Sequence, residues 1–323
     1  MADAEFTTTQ ADLQAAENRL VNLGLTKLPP PVVSGMTLGA DISLCDSDGN
    51  TVLTFNKVDT DTATAGVVWV INDIDGWWTL PEPELPDLPR GWGDGSYDSR
   101  GRFIARNISL AGTFLTQSPS QVPAARAKLV KAIDLVYKGG WLVVNESPAK
   151  ASFVRLSGRP EIATVNARGR TEFSVGLKAS DPIKYEWLTG GTGVVEGYRK
   201  VSLTANTATS ITNTGNTKVP VIFEVTGPTT GTKTIKRAAT NTTALETITI
   251  VSNIPTGSKL IIDTLNREVL LEDGDGVITN ARGYVSTLSD WIFLGAAPDT
   301  TNGASSITAT VACDVFYRSG WIA

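Results

Sequence analysis

Histidine is missing from all 323 residues of the chain. Its absence rules out Ser-His-Asp and Cys-His nucleophile systems, and with them the zinc sites that depend on an imidazole ligand. Cysteine is almost as scarce, with Cys45 and Cys313 the two present. A pair so far apart in sequence is no disulfide framework. It reads as two buried free thiols, with a single long-range bridge as the alternative. Long apolar runs are also lacking, and the opening MADAEFTTTQ has no basic region followed by an apolar one. The chain is therefore expected to be made in a cytosol, neither secreted by the usual route nor anchored in a membrane. Basic charge is in deficit too, the net charge being −5. That leaves no electropositive footprint for gripping nucleic acid, although a mildly acidic surface lets a polyanion pass without holding it.

What is present is an ordinary globular composition, 41% apolar and 19% charged, long enough for two domains that each bury a core. The organising stretch is WGDGSYDSRGRFIARNISLAGTF, residues 92–114. Gly93, Asp94 and Gly95 make a tight turn, because two glycines accept positive φ and the aspartate bonds its own backbone. From Phe103 the chain alternates, with Ile104, Arg106, Ile108 and Leu110 on one face and Phe103, Ala105, Asn107, Ser109 and Ala111 on the other. Period two with β-branched residues predicts a strand. Residues 152–185 answer it. There Phe173, Val175 and Leu177 alternate with polar neighbours until Asp181-Pro182, where proline cannot donate to a continuing ladder.

In chain order, residues 9–24 predict a helix. Thr9 and Asp12 form a capping-box-like start, Leu13, Ala16, Leu20 and Leu23 an apolar stripe, and Gly24 a stop. That stripe needs a partner surface, either on its own domain or on a neighbouring subunit, and the sequence leaves both open. Leu28-Pro29-Pro30-Pro31 is an extended hinge. Asp46 to Asn50 reads as a hairpin turn rather than a calcium loop, since the bidentate glutamate of such a loop is missing. Val67 to Ile74 predicts a strand. The span from Pro81 to Gly93 holds four prolines and predicts a loop without regular structure. Either the loop is solvated or it reaches an adjacent subunit. In the second case Trp77, Trp78 and Trp92, with Leu85 and Leu88, are anchors of the type enriched at interfaces. Pro123 to Tyr137 predicts a helix that buries Leu129, Ile133 and Val136 and ends at Gly139-Gly140, and Trp141 to Asn145 a strand. This half reads as an α+β or helix-decorated β-sandwich domain.

Gly190 to Gly193 marks a boundary. Beyond it threonine is dense, helical spacing disappears, and short strands are expected at 209–211, 219–226, 232–238, 245–251, 259–263, 268–271, 291–294, 306–313 and 315–317. Their spacing predicts an all-β sandwich. The chain thus divides into a helical arm (1–27), a first domain (28–188) and a second (189–323), mainly β with a minor α content.

Two blocks carry a resemblance. The turn and strand at Asp94, Gly95, Tyr97, Phe103, Ala105, Arg106, Ile108, Leu110 and Gly112 resemble the distal tail protein (Dit) family of long-tailed bacteriophages. So does the strand Phe173, Val175, Leu177, Ala179 running into Asp181, Pro182 and Tyr185. The second half is similar to the galectin-like sandwich appended to many of these proteins, through Asn213 and Gly215, Asp263 to Arg267, Asp273-Gly274, and Tyr317, Arg318 and Trp321. The resemblance implies a structural virion protein at the distal end of a non-contractile tail. Six copies would form a ring that joins the tail tube protein to the tip or baseplate. Other implied partners are hub and minor tail proteins and fibre or receptor-binding proteins, with DNA passing through unbound, no membrane, no cofactor and no catalysis. The N-terminal helix and the long loop at 77–93 depart from the family pattern.

The Glu272-Asp273-Gly274-Asp275-Gly276 run reads as a turn rather than a metal site. Glycosidases need two rigidly held carboxylates. Glu82 and Glu84 on a proline-rich loop, or Glu268 and Glu272, are poor candidates for that. Trp291 and Trp321 suggest the alternative function, a carbohydrate-binding or adhesive sandwich, although aromatics on short strands are more often core.

Overall fold

The computed structural model describes residues 41–85, 88–89, 96–97, 101–163, 170–189, 194–195, 197–238, 244–295 and 304–322. The described chain gathers into two compact units that are not consecutive blocks. The first runs up to Trp77 and includes Asn107–Asn145 and Phe153–Ala179; the second combines Trp78–Arg106, Glu146–Ser152 and the chain from Ser180 onward. The expected arm at 1–27 lies outside the described residues.

The first unit is built on β1 (Ile42–Cys45), β2 (Thr51–Phe55), β3 (Lys57–Val58), β4 (Val68–Asp75), β5 (Arg106–Leu115), β6 (Gly140–Val144), β7 (Lys150–Leu156), β8 (Glu161–Ile162) and β9 (Arg170–Ala179), of which Arg106 and Lys150–Ser152 count with the second unit. They follow the order β2-β1-β6-β7-β9-β5-β4-β3, with β8 beside β9. Antiparallel registers include Ile42 opposite Val144 and Trp69 opposite Phe114. The β1–β2 hairpin turns where expected, with Asp46 Oδ1 accepting from the Asp48 and Asn50 amides at 3.0 and 2.8 Å. Among the described residues of this unit, one α-helix, α1 (Val122–Lys138), has Pro123 in its first turn and Gly139 (φ 114°) as its cap. It buries Val122, Ala125, Leu129, Ala132, Ile133 and Val136, the stripe that 3.6-residue spacing dictates. Phe55, Trp69, Phe114 and Phe173 join these in one core. Each large side chain buried there contributes about 1.5–3 kcal/mol.

The second unit adds β10 (Lys184–Glu186), β11 (Tyr198–Leu203), β12 (Ala208–Thr212), β13 (Val219–Thr226), β14 (Lys233–Ala238), β15 (Ala244–Ile250), β16 (Lys259–Asp263), β17 (Glu268–Glu272), β18 (Ile278–Asn280), β19 (Phe293–Leu294), β20 (Ala304–Ala309), β21 (Cys313–Tyr317) and β22 (Gly320–Trp321). One sheet runs β11-β21-β13-β16-β17-β18 and a second β12-β20-β14-β15. Val221, Phe223 and Val225 of the first share a core with Ile235, Ile248 and Ile307 of the second. The result is an antiparallel sandwich, and the protein as a whole is mainly β.

Three expectations are corrected. Residues 81–93 were expected to lack regular structure, yet Pro83–Glu84 pairs with Arg102–Phe103 and Leu88–Pro89 with Ser96–Tyr97. Proline fits two-residue ladders because its missing N–H can face away from the partner. The strand expected from Phe103 begins at Arg106 instead. The single strand at 306–313 is two, since residues 310–312 turn between β20 and β21, which lie in different sheets. Thr310 holds that turn, its Oγ1 accepting from the Thr234 amide and its own amide donating to the Thr234 carbonyl, both at 2.8 Å.

Candidate functional site

Four residues singled out in the sequence meet around β10 in the second unit. Arg106 opens β5 on the inward face and is 1% exposed. Its Nε donates to the Pro182 carbonyl at 3.1 Å, Nη1 to the Thr79 carbonyl at 2.7 Å and Nη2 to the Ile322 carbonyl. A rigid guanidinium fork is the side chain that can serve three diverging acceptors at once. Burial lowers its pKa from the ordinary arginine value. Asp181 closes the adjoining turn, with Oδ1 accepting from the Ile183 amide at 3.0 Å and Oδ2 from the Tyr185 hydroxyl at 2.6 Å. Burial, and then the Asp181 charge, push the Tyr185 phenol far up.

Charged residues that sequence reasoning missed complete this network. Lys184 is fully buried. Its burial drives the ammonium down to about 8, with Glu146 opposing and Arg106 and Lys150 reinforcing the shift. Glu186, also buried, accepts from Arg199 Nε and Nη2 at 2.9 and 2.5 Å. Glu146 accepts from Lys150 Nζ at 2.6 Å, and that ammonium lies 5.0 Å from the centre of the Trp321 ring. The one available signal was three alternating residues, Lys184-Tyr185-Glu186, directly after the Asp-Pro stop. Nothing in a Lys-x-Glu pattern says which face is inside. The carboxylates of Asp181 and Glu186 are committed to local donors, an arrangement that ties segments together.

The remaining motif residues are structural as well. Gly112 lies where a Cβ would fall 2.3 Å from Phe173 Cζ and 2.6 Å from the Val70 carbonyl oxygen, so the Phe173 ring packs directly on the strand backbone. Leu88 and Tyr97 stand opposite each other in a two-residue ladder. Leu13, Leu20, Leu23, Trp92, Asp94 and Gly95 lie outside the described residues.

The loop anchors separate into two groups. Trp77 is fully buried in the core of the first unit, so its expected role as a contact for a neighbour is corrected. An apolar residue directly after the apolar strand β4 is drawn into that core. Trp78 is 47% and Leu85 69% exposed, and Leu80 and Phe103 are exposed beside them. Phe103 stands opposite Pro83, and Leu85 Cδ2 covers Gly101, where a Cβ would come within 2.6 Å. Four large apolar side chains therefore face solvent within one stretch, a concentration typical of a contact surface.

The other sequence candidates are accounted for locally. Glu84 is paired with Arg102 at 2.5 Å in an exposed salt bridge. Glu268 and Glu272 stand opposite Asp263 and Lys259 across the β16–β17 ladder. Asp273 caps its own turn through the Asp275 and Val277 amides. No group of three His, Cys, Asp or Glu that could hold a metal occurs among the described residues. Trp291 packs against the sandwich core with the Arg282 guanidinium 5.2 Å from its ring centre. Both thiols are free and buried, and burial pushes Cys313 up to about 12.

No protein-family model and no curated protein matches the chain. Solved structures do. The crystal structure of SPP1 Dit, described as a paradigm of the hub adsorption apparatus in phages infecting Gram-positive hosts, aligns with a TM-score of 0.58 at 12% identity. The alignment covers 86% of this chain and 98% of that one. The chain folds like a phage Dit protein. Two structures of the phage P2 baseplate in its activated conformation, with Ca and with Sr, align with TM-scores of 0.42 and 0.41. They are 8% and 10% identical and cover 88% and 86% of this chain. In this Dit-like fold the Arg106 network and Gly112 are elements of the scaffold, and the exposed surface at Trp78 to Phe103 is what the scaffold presents.

Proposed function

We propose that the chain is a structural component of a phage tail tip. The observation that carries this reading is the fold shared with SPP1 Dit over nearly that protein's full length. Residues 28–188 supply a ring of six copies that continues the tube of a non-contractile tail, and residues 189–323 supply the outward sandwich that meets fibre or receptor-binding proteins. Trp78, Leu80, Leu85 and Phe103 are the contacts between copies, since a heterologous contact that closes on itself builds a ring without covalent chemistry. DNA passes the ring unbound. Immunogold labelling of intact virions with antibody to this chain should decorate the far end of the tail. Label on the head or along the whole tube refutes the assignment. Native mass spectrometry of the pure protein, alone and with tube and hub proteins, should show a six-fold species.

Carbohydrate binding through the sandwich is the competing reading. The rings that would stack on a sugar are already engaged, Trp291 by Arg282 and Trp321 by Lys150. Glycan binding abolished by Trp291→Ala or Trp321→Ala would reinstate it.

A further inference from the structure

The second sheet of the sandwich treats its two outer edges differently. At β15 the amides of Thr247 and Thr249 donate to Asp290 Oδ2 and Ser289 Oγ, both at 2.9 Å. Their carbonyls accept from the Asp290 and Ser286 amides at 2.9 and 2.8 Å. That edge is closed by the chain's own loop. At the other edge stands β12, paired with β20 in unbroken register from Ala208 to Thr212. Backbone groups of alternate residues in an antiparallel ladder point to opposite sides. The Thr310 amide turns to Thr234 of β14, and the Ala309 carbonyl accepts from the Asn206 amide on the β12 side. By that alternation Ile307 and Ser305 also turn toward β12, where they stand opposite Thr209 and Ile211. The N–H and C=O groups of Ala208, Ser210 and Thr212 therefore face away from the sheet, and they have no partner among the described residues. All three side chains are exposed.

An open edge is a template for another strand, and folded proteins blunt it with charge, proline, a bulge or a very short length. The β18 edge of the first sheet is three residues long. β12 has five residues and none of these devices. We propose that β12 pairs with β12 of a second copy of this chain, antiparallel about a two-fold axis at Ser210. In this register Ser210 stands opposite itself and Ala208 opposite Thr212, so every outward N–H and C=O of the strand gains a partner. A slip of one residue sets outward groups against inward ones and loses them all, and a slip of two leaves one outward residue of each strand without a β12 partner. Charge selects the occupant. Near a two-fold axis a charged side chain meets its like, which destabilises the pair. From Val201 to Thr217 no charged side chain occurs, which suits a copy of the same strand, whereas a foreign partner of definite charge is met by complementary charge. The contact is isologous and uses none of the residues between Trp78 and Phe103, so it stands whether or not the tail-tip reading does.

Cysteine trapping in the full chain tests the register. Ser210→Cys sets two thiols opposite each other with Cα atoms about 5.5 Å apart, within disulfide reach. Ala208→Cys sets its two thiols four residues apart along the pair, roughly 14 Å, and out of reach. Cys45 and Cys313 are buried and do not interfere. Under mild oxidation Ser210→Cys should form covalent dimers at least tenfold faster than Ala208→Cys alone, and Ala208→Cys mixed with Thr212→Cys should link as Ser210→Cys does. Sedimentation supplies the second arm. It is run in the Trp78→Ser, Leu85→Ser background, where the proposed ring contact is removed, so that failure of one contact is distinguishable from failure of the other. There the dimer should persist, and adding Ser210→Lys, with folding checked by thermal melting, should weaken it at least tenfold. Trapping at 208 as fast as at 210, a monomer at every concentration in that background, or a dimer indifferent to Ser210→Lys each overturn the proposal.

Discussion

Replacing Arg106 with methionine keeps most of the apolar stem and removes the guanidinium, which isolates what the three carbonyl bonds contribute. The donors to Pro182, Thr79 and Ile322 all vanish at a site 1% exposed. A hydrogen bond from a charged donor is worth about 1.5–3 kcal/mol when its partner is removed, and relaxation recovers part of the sum for three. We expect a loss of about 4 kcal/mol, among the larger effects of a single substitution. For units of this size that lowers the melting temperature by about 10 °C. Arg106→Lys should fall between the two, because one ammonium cannot span three diverging acceptors. Ending the chain at Trp321 removes the Ile322 acceptor together with the Ile322 amide's 2.8 Å bond to Asn216 Oδ1, and should still cost less than the methionine variant. Urea unfolding followed by tryptophan fluorescence, with calorimetry alongside, reads all of these. A methionine variant within about 1 kcal/mol of the wild type refutes the claim that this guanidinium fastens the three segments.

Other outcomes follow from single sites. Asp59 is opposed by its burial, yet Lys128, the Asp61 amide, Thr64 and Trp69 together hold its carboxyl down at about 2. Its folded pKa lies below the unfolded one, so it contributes about 2 kcal/mol that is fully present above roughly pH 4 and lost as the pH falls toward 2. Asp59→Asn should flatten that part of the acid-unfolding curve, and an unchanged curve contradicts the assignment. Asn213 is buried, accepts from the Gly215 and Gly320 amides at 2.9 and 3.3 Å, and donates to the Thr217 and Gly295 carbonyls at 2.7 and 3.3 Å. Asn213→Ala should cost about 3 kcal/mol in urea titration. The two thiols should be silent toward a disulfide reagent in the native protein and react in full on unfolding, because burial raises both from the ordinary thiol range. Trp78→Ser with Leu85→Ser should leave the monomer's melting temperature nearly unchanged while reducing the assembled fraction in sedimentation. Equal assembly removes the patch from the contact.

Regular elements were legible wherever one face is apolar. Leu129, Ile133 and Val136 specify α1 to within a residue at each end, and β13 and β16 have the bounds their alternation gives. Legibility failed where that signal is diluted. Tyr198–Leu203 is a strand that no periodicity announced, since five of its six residues are only partly buried or exposed and charges stand among them. The two-residue ladders around Pro83 and Leu88 are too short to have a period at all. Trp77 and Trp78 are neighbours of identical type with opposite fates, one in the core and one in solvent. Composition cannot separate them, because burial there is decided by where β4 ends.

The residues picked out by resemblance share a physical character that periodicity does not have. Val175 or Leu177 could be exchanged for another apolar side chain of similar size at a modest cost. Arg106 cannot be exchanged in that way, because only its fork meets three carbonyls, and Gly112 cannot, because any Cβ collides with Phe173. Asp181 holds both the turn at Ile183 and the Tyr185 hydroxyl through one carboxylate. Each is set by a backbone or ring from a distant segment, so its requirement is written in the tertiary structure and appears in the sequence as an isolated letter. A core filled by interchangeable apolar residues lets a fold persist at 12% identity.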